Sequence, residues 1–324
     1  MVLDKEKKVN FFIVGQPKTG TTSLYHYLKK HPDIFLPNQK QLYYFASDFN
    51  DYRKKNKLLN KSYYREYYNY SFKSYIKKFN SSKEYQIYSD ITPDYIYSEN
   101  AAANIYKYNP NAKVIAILRE PLSFLKSFHL QLVNSGKELE KDFMNAIDLE
   151  QKRKIKRFNQ DLHTPDIFFH YKELINYKYF LDKYLKLFKC NFKIILYEDF
   201  KNDNINILNK ILEFLSLELI EFDKIITENK SYKKSLKLTA LKKKYFMRII
   251  SSKIPNQFKY YIKGLLDQVS FKSSLNTIPS LSDKEINIKI KFKKQVIDLE
   301  NYINKNQLLL LNNNVDLLKK WSYK

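Results

Sequence analysis

Short apolar segments alternate with helical patterns along the first two thirds of the chain. Four of them are predicted to be β-strands: Asn10–Val14, Tyr85–Ile91, Val114–Leu118 and Phe192–Tyr197. Val114–Leu118 is apolar at every position, as expected of a parallel strand that is covered on both faces. Between the strands, segments such as Leu174–Phe188 and Ile205–Leu215 carry apolar residues at helical spacing. This alternation predicts an α/β fold with a central parallel β-sheet flanked by helices.

The pattern changes at about residue 235. Residues 237–271 are basic and amphipathic with an interruption at Pro255, and residues 282–304 form a second charged helical pattern. Strand signals are scarce in this region, and no flexible linker precedes it. We therefore predict a single domain over residues 1–324, with an α/β core at 9–234 and a mainly helical carboxy-terminal extension at 235–324.

The chain is strongly basic, because 58 Lys and Arg residues against 34 Asp and Glu residues give a formal net charge of +24. Such a balance suits nucleic acid, an anionic membrane surface or an anionic substrate. The lysines are spread along the chain and mixed with acidic residues, so nucleic acid is not the expected partner. For residues 237–271 two interpretations stay open: an apolar face packed on the core, or peripheral contact with a membrane.

Cysteine usage and apolar run lengths indicate the compartment. Cys190 is the sole cysteine, which excludes an intramolecular disulfide and a cysteine-built zinc site. The first eight residues are charged and lack the apolar core of a signal peptide, and no apolar run is long enough to cross a bilayer. These features predict a reducing, cytoplasmic compartment.

The first predicted strand leads into a loop with the features of a phosphate-binding site, from Gly15 to Thr22. Two of the four glycines of the chain, Gly15 and Gly20, lie in it, between a strand and a helix. Such a loop directs backbone N–H groups and a helix amino terminus at an anion. It differs from the Walker A motif, because Thr21 and not a lysine follows Gly20, whereas a lysine occurs earlier, at Lys18. This displacement disfavours an ATP- or GTP-dependent kinase, which remains the alternative enzyme class.

Two motifs, in this order, resemble those of sulfotransferases that use 3′-phosphoadenosine 5′-phosphosulfate (PAPS). Pro17–Ser23 resembles the loop that binds the 5′-phosphosulfate, and Leu118-Arg119-Glu120-Pro121 followed by Ser127 resembles the motif that binds the 3′-phosphate. The resemblance covers residues 9–234 well and includes soluble bacterial members and carbohydrate or heparan sulfate sulfotransferases. It implies a fold like that of the P-loop NTPases, with PAPS as co-substrate and no metal.

The resemblance also implies which residues contact the donor. These are Lys18, Thr19, Gly20, Thr21, Thr22 and Ser23 in the loop, Arg119 and Ser127 in the second motif, and Lys233 and Lys234 in a late basic loop. Arginine offers a rigid fork of donors for a phosphate. Lys18 is the predicted catalytic contact to the leaving group, where negative charge accumulates during transfer.

The identity of the catalytic base stays open, because the chain departs from the family pattern. Lys40, Gln41 and Tyr44 fall in the predicted acceptor-binding segment, where related enzymes carry a glutamate at the position of Gln41. An amide cannot accept a proton at neutral pH. Three hypotheses follow: Asp90 is the base at the end of its strand, His129 is the base, or the protein is a weakly active or inactive member of the family.

The resemblance implies a carbohydrate hydroxyl as acceptor, or a glycolipid if residues 237–271 bind a membrane. The predicted function is thus sulfuryl transfer from PAPS to that hydroxyl. The alternatives are a Mg-ATP-dependent P-loop kinase and a basic protein that binds nucleic acid or membranes without catalysis.

Overall fold

The computed structural model describes residues 8–55, 71–81, 83–156, 164–222, 283–311 and 314–323. Its centre is a five-stranded sheet in which every paired strand is parallel, in the order β2-β3-β1-β4-β5. The strands are β1 (Phe11–Gly15), β2 (Ile34–Phe35), β3 (Ile87–Ile91), β4 (Lys113–Leu118) and β5 (Phe192–Leu196). All four predicted strands are present, and β2 is an addition of two residues.

Helices connect the strands and cover the sheet. Those of the α/β core are α1 (Thr21–Leu28), α2 (Ser47–Lys55), α3 (Phe72–Lys77), α4 (Ala101–Tyr108), α5 (Pro121–Asn134), α6 (Phe143–Asp148), α7 (Glu150–Ile155), α8 (Tyr171–Leu174), α9 (Tyr177–Phe188), α10 (Tyr197–Asn202) and α11 (Asn204–Leu215). Two further helices follow, α12 (Asp283–Asn306) and α13 (Leu317–Lys320). Short 3₁₀ helices lie at Pro93–Tyr97, Asp166–Phe169 and Lys189–Asn191.

The sheet separates two hydrophobic layers. Successive residues of a strand point to opposite faces, and β1 shows this directly: Phe11 and Ile13 pack in one buried cluster, Phe12 and Val14 in the other. Because both faces are covered, the strands are largely apolar, as a parallel sheet requires. The predicted α/β fold with a central parallel sheet is confirmed.

The strand order places a topological switch at β1. The chain forms β2 and β3 on one side of β1 and then crosses to form β4 and β5 on the other side. In open α/β sheets, ligands bind outside the carboxyl ends of the strands at such a point. Gly15, which ends β1, lies opposite Ile117 near the end of β4, so this edge is where the site is expected.

Residues 283–311 and 314–323 contribute side chains to the hydrophobic layers that cover the sheet. Val296, Leu299 and Ile303 of α12 are buried in the same cluster as Phe12 and Val14. Beyond α12, Leu308 and Leu310 exchange two backbone hydrogen bonds with Ile194 of β5, at 2.8 and 3.1 Å. The predicted helical character of this region is found in α12. Residues 237–271 lie outside the described residues. Within the described part of the chain, no helix is both long enough and apolar enough to span a membrane.

Candidate active site

The loop between β1 and α1 depends on its two glycines. Gly15 has a φ of +128°, and a Cβ atom there would lie 2.3 Å from the carbonyl oxygen of Ile117. Gly20, at a φ of +74°, is the N-cap of α1, and a Cβ atom there would lie 3.2 Å from the ring of Phe200. Lys18 also has a positive φ, of 69°, which is uncommon for a residue with a side chain. Residues Gly15 to Gly20 therefore form a tight turn that ends where α1 begins.

Hydrogen bonds inside the loop fix it to the end of β4. The Thr19 hydroxyl donates to the carbonyl oxygen of Gln16 at 2.6 Å, and the backbone N–H of Gln16 donates to Ile117 O at 3.0 Å. The side-chain Oε1 of Gln16 accepts from the backbone N–H of Arg119 at 2.6 Å. Gln16 thus joins the two predicted donor motifs, a role that its residue type did not reveal in the sequence.

Arg119 and Lys18 meet at this edge of the sheet. Nη1 of Arg119 donates to the carbonyl oxygen of Lys18 at 3.0 Å, and the guanidinium lies over the ring of Tyr197 at 4.8 Å. Burial lowers the pKa of Lys18, and the nearby charge of Arg119 lowers it further. Among the described residues, no carboxylate pairs with the Lys18 ammonium. Two half-buried cations held together in this way favour an anion as their ligand.

Lys40 contributes a third cation to the same loop. Its Nζ donates to the Thr22 hydroxyl at 2.7 Å and lies 5.4 Å from the centre of the Tyr25 ring. Burial lowers the pKa of Lys40 to about 8. The sequence assigned Lys40 to the acceptor, whereas the structure brings it into contact with the predicted donor loop.

The remaining predicted donor residues lie on the elements that leave the loop and β4. Thr21, Thr22 and Ser23 form the first turn of α1. Ser127 lies half-buried on α5, the helix that follows Arg119. Lys233 and Lys234 fall outside the described residues. Within the described ranges, no group of three or more His, Cys, Asp or Glu side chains could hold a metal ion.

The predicted acceptor segment turns sharply beside the end of β3. Gln41 and Tyr43 have positive φ values of 56° and 58°. The backbone N–H of Gln41 donates to Ile91 O at 3.1 Å, and that of Leu42 donates to the Thr92 hydroxyl at 2.9 Å. Non-glycine residues held in this region are strained, and such residues cluster at functional sites.

The aromatic side chains of the predicted acceptor segment contact neighbouring parts of the fold. The ring of Tyr44 is half-buried and stacks on Tyr75 at 4.6 Å with an interplanar angle of 19°. The Tyr43 hydroxyl donates to the buried carboxylate of Asp94, and the guanidinium of Arg53 lies 5.0 Å from the Tyr43 ring. These contacts fix the backbone of the predicted acceptor segment.

Asp90 lies next to this segment and is fully buried. Its Oδ1 accepts from the Thr92 hydroxyl at 2.7 Å, and its Oδ2 accepts from the Tyr75 and Tyr95 hydroxyls, each at 3.1 Å. Burial raises the pKa of Asp90 to about 6, although the three hydroxyl donors act in the opposite direction. A carboxylate poised near neutrality matches the requirement for a general base, but its assignment as the base stays a prediction.

His129 lies on α5 in a separate buried polar cluster. Its Nε2 faces the carbonyl oxygen of Lys141 at 3.1 Å, and its Nδ1 faces the Tyr171 hydroxyl at 3.0 Å. Tyr171 in turn contacts Glu138, which forms a fully buried ion pair with Arg153 at 2.8 Å. Burial lowers the pKa of His129, although the Lys141 carbonyl oxygen and the charge of Glu138 act in the opposite direction. Both nitrogens therefore have protein partners, which favours a packing role over proton transfer.

Comparison with known proteins agrees with this geometry. The model of the sulfotransferase family matches residues 10–221. Over 149 residues, or 44% of this chain and 28% of the relative, the sequence is 30% identical to the membrane-associated sulfotransferase kil1 of Dictyostelium discoideum. Over 126 residues, or 39% of this chain and 31% of the relative, it is 29% identical to the human heparan sulfate glucosamine 3-O-sulfotransferase 5. The matched segments thus span less than a third of these two relatives.

A solved structure shows the same fold. The crystal structure of a sulfotransferase from Alicyclobacillus acidocaldarius superposes with a TM-score of 0.57 at 21% identity, covering 82% of this chain and 97% of that one. The loop from Gly15 to Thr22 and the Arg119 side chain held against it lie at the switch point of this fold. The chain belongs to the sulfotransferase family, and the resemblance inferred from its motifs is confirmed.

Proposed function

We propose that this protein transfers the sulfuryl group of PAPS to a hydroxyl of a carbohydrate-type acceptor. The observation that carries the proposal is the contact between Arg119 and the backbone of Lys18, which joins the two predicted donor motifs in one site. Family membership supports the reaction class. The choice of a carbohydrate rests on the resemblance and on one relative, which is named a heparan sulfate glucosamine 3-O-sulfotransferase.

On the donor side of the proposed site, three cations and the backbone N–H groups of the loop would bind PAPS. Arg119 would bind the 3′-phosphate, because its guanidinium is oriented by Tyr197 and Lys18 and offers a fork of donors. Lys18, Lys40 and Thr22 would contact the 5′-phosphosulfate. Since Lys18 is half-buried, its charge acts on the leaving phosphate oxygen through a medium that screens weakly.

The acceptor end rests on the strained segment at Gln41–Tyr44 and on Asp90. A hydroxyl that attacks sulfur must lose its proton, and Gln41 cannot take it. In this proposal Asp90 takes it through one of the hydroxyls that donate to it. That hydroxyl gives its own proton to Asp90 while it receives the proton of the acceptor, so no charge is left on the relay. Thr92 is a candidate, because it links Asp90 to the backbone of Leu42.

Titration calorimetry with adenosine 3′,5′-bisphosphate tests the donor assignment. We expect tight binding without Mg²⁺, much weaker binding of adenosine 5′-monophosphate, and loss of that difference in Arg119→Ala. Lys29→Ala, an exposed lysine beyond α1, is a matched control that should leave the difference intact. Equal affinity for the two nucleotides would contradict PAPS as donor. Mg²⁺-dependent binding of ATP in preference to the bisphosphate would favour the kinase alternative.

A further inference from the structure

The turn that carries Arg119 is held by residues more than a hundred positions away in the sequence. The structural unit concerned, which we name the 317–323 clasp, consists of α13 and the three residues Trp321, Ser322 and Tyr323. Within it Trp321 and Tyr323 are buried, with 3% and 5% of their surface exposed. Their polar atoms reach two carboxylates, Glu198 and Glu120, that flank the Arg119 turn.

The first of these contacts runs through Glu198 at the start of α10. Nε1 of Trp321 donates to Oε2 of Glu198 at 3.0 Å, and the other carboxylate oxygen accepts from the backbone N–H of Glu120 at 3.1 Å. One carboxylate therefore bridges the indole of the clasp and the peptide that follows Arg119. Desolvation raises the pKa of Glu198, whereas the hydrogen bonds from the Glu120 peptide N–H and the Trp321 indole N–H lower it, because they favour the charged carboxylate.

The second contact runs through Glu120. The Tyr323 hydroxyl donates to Oε1 of Glu120 at 2.6 Å. Glu120 is the N-cap of α5, where its two oxygens accept from the N–H groups of Leu122 at 3.1 Å and Ser123 at 2.6 Å. Tyr323 thus orients the residue that begins the helix bearing Ser127, directly after Arg119.

Other elements hold the remaining atoms of the turn. Tyr177 donates from its hydroxyl to the carbonyl oxygen of Arg119 at 2.9 Å, and its ring meets Trp321 edge-to-face at 6.5 Å. Gln16 accepts from the N–H of Arg119. The peptide groups on both sides of Arg119 are therefore fixed, and two of the groups that fix them depend on the clasp.

The clasp is itself anchored on α12. The side-chain ammonium of Lys289 donates to Trp321 O at 2.7 Å and lies 4.4 Å from the centre of the Tyr323 ring. Glu300 accepts from the backbone N–H groups of Leu317 and Leu318. Lys320 also forms an ion pair with Asp199, beside Glu198. The clasp is thus tied at both ends and cannot shift without moving its carboxylate partners.

We infer that Trp321 and Tyr323 are positioning residues for donor binding: they hold Arg119 in the orientation that selects a nucleotide with a 3′-phosphate. This inference rests on the proposed function, because it assigns the 3′-phosphate to Arg119. In this inference neither residue itself contacts the donor. They act through Glu198 and Glu120, so their loss should impair recognition of the 3′-phosphate and spare the rest of the nucleotide.

Tyr323→Phe and Trp321→Phe test the inference, since each removes one hydrogen-bond donor and retains an aromatic ring. The readout is the ratio of the Kd for adenosine 5′-monophosphate to that for adenosine 3′,5′-bisphosphate, measured by calorimetry on the full chain. We expect each variant to lower this ratio about three- to thirtyfold, the usual range for coupling through intermediate residues. The KM for PAPS should rise by a similar factor with kcat nearly unchanged, as expected when uniform binding is lost.

Tyr302→Phe is the matched control. Its hydroxyl donates to Asp182 at 3.1 Å, so it also removes a tyrosine-carboxylate hydrogen bond from the same carboxy-terminal region, but away from Arg119. It should leave the ratio unchanged even if the melting temperature falls. If the clasp variants lower the melting temperature and leave the ratio as in the unaltered protein, the clasp is merely structural and the inference is wrong. If the unaltered protein does not discriminate between the nucleotides, the proposed function fails, and the inference fails with it.

Discussion

The backbone of Gly15 lies against that of Ile117 so closely that no side chain fits between them. A Cβ atom on Gly15 would lie 2.3 Å from the carbonyl oxygen and 2.5 Å from the amide nitrogen of Ile117. Since both neighbours are backbone atoms of paired strands, neither can rotate away. The carboxyl end of β1 and the start of the predicted donor loop therefore depend on this glycine.

Gly15→Ala is expected to destabilise the protein by more than about 4 kcal/mol, because it combines a steric clash with an unfavourable φ. Gly136→Ala is the matched control, since Gly136 has a φ of +71° but no atom lies within 4 Å of the place that a Cβ would occupy there. That variant should lose only about 1–2 kcal/mol, the strain of a left-handed residue. Urea unfolding of both variants measures the difference, and similar losses would contradict the clash.

Lys18→Ala is expected to reduce kcat more than donor binding, because the lysine is assigned to the leaving group. We expect a loss in kcat of about 100-fold or more, the usual effect of removing one preorganised charge from a transition state. The Kd for PAPS should change far less, since the charge on the leaving phosphate oxygen develops only during transfer. Single-turnover kinetics separates the two quantities. A pure rise in KM would show that Lys18 contributes to binding alone.

Lys40 should make donor binding dependent on pH. Burial lowers its pKa to about 8, so the ammonium loses its proton as the pH rises through this value. The affinity for the anionic bisphosphate should therefore fall above about pH 8 and be stronger below it. Lys40→Arg should bind equally well across this range, because a guanidinium keeps its charge. A pH-dependent affinity that persists in the arginine variant would assign the effect to another group.

Asp90→Asn separates a catalytic role from an anchoring role. Because the pKa of Asp90 is raised from 3.8 to about 6, the folded protein binds its proton more tightly than the unfolded chain does. The free energy of unfolding consequently falls as the pH rises from 3.8 to about 6, and the charged carboxylate destabilises the fold above that range. Asparagine removes this charge.

The variant should therefore keep or raise the melting temperature at neutral pH while kcat falls by about 100-fold or more, the usual contribution of a general base. In the unaltered protein, kcat should decline as the pH falls through about 6, the pKa of Asp90. A drop in melting temperature with kcat largely retained would instead identify Asp90 as an anchor for the segment at Gln41–Tyr44.

His129→Gln should leave kcat within about threefold of the unaltered protein and lower its melting temperature, as expected for the loss of a buried hydrogen bond. Its ring nitrogens face Tyr171 and Lys141, and glutamine reproduces neither contact fully. Steady-state kinetics and thermal unfolding on the same preparation decide the matter. A loss of turnover without a loss of stability would restore His129 as the candidate base.

The sequence predicted the parts of the fold that depend on local pattern. The strands β1, β3, β4 and β5 and the helix at 283–306 follow from apolar runs and helical spacing. Strand β2 was missed, because two residues show no periodicity. The predicted helix at 174–188 is in fact interrupted at Ile175 and Asn176, which lie between α8 and α9.

The sequence could suggest only those parts of the candidate site that lie in contiguous residues. The predicted donor loop and the Arg119 motif were proposed separately, and the parallel sheet brings them into contact. Their role in donor binding stays a prediction. Contacts between distant segments could not be foreseen. The hydrogen bond from Tyr323 to Glu120 spans 203 positions, and that from Lys40 to Thr22 depends on how the chain returns after β2. No periodicity or spacing encodes such pairs.

The pairing of Leu308 and Leu310 with Ile194 has a consequence for self-association. Unpaired strand edges are templates on which another chain can add a strand and begin to aggregate. At one edge of the sheet, the N–H and carbonyl groups of Ile194 in β5 are already hydrogen-bonded to Leu308 and Leu310. At the opposite edge, strand β2 is only two residues long. The described sheet thus presents little edge to a neighbouring molecule, which protects a basic, tyrosine-rich chain from aggregation through strand addition.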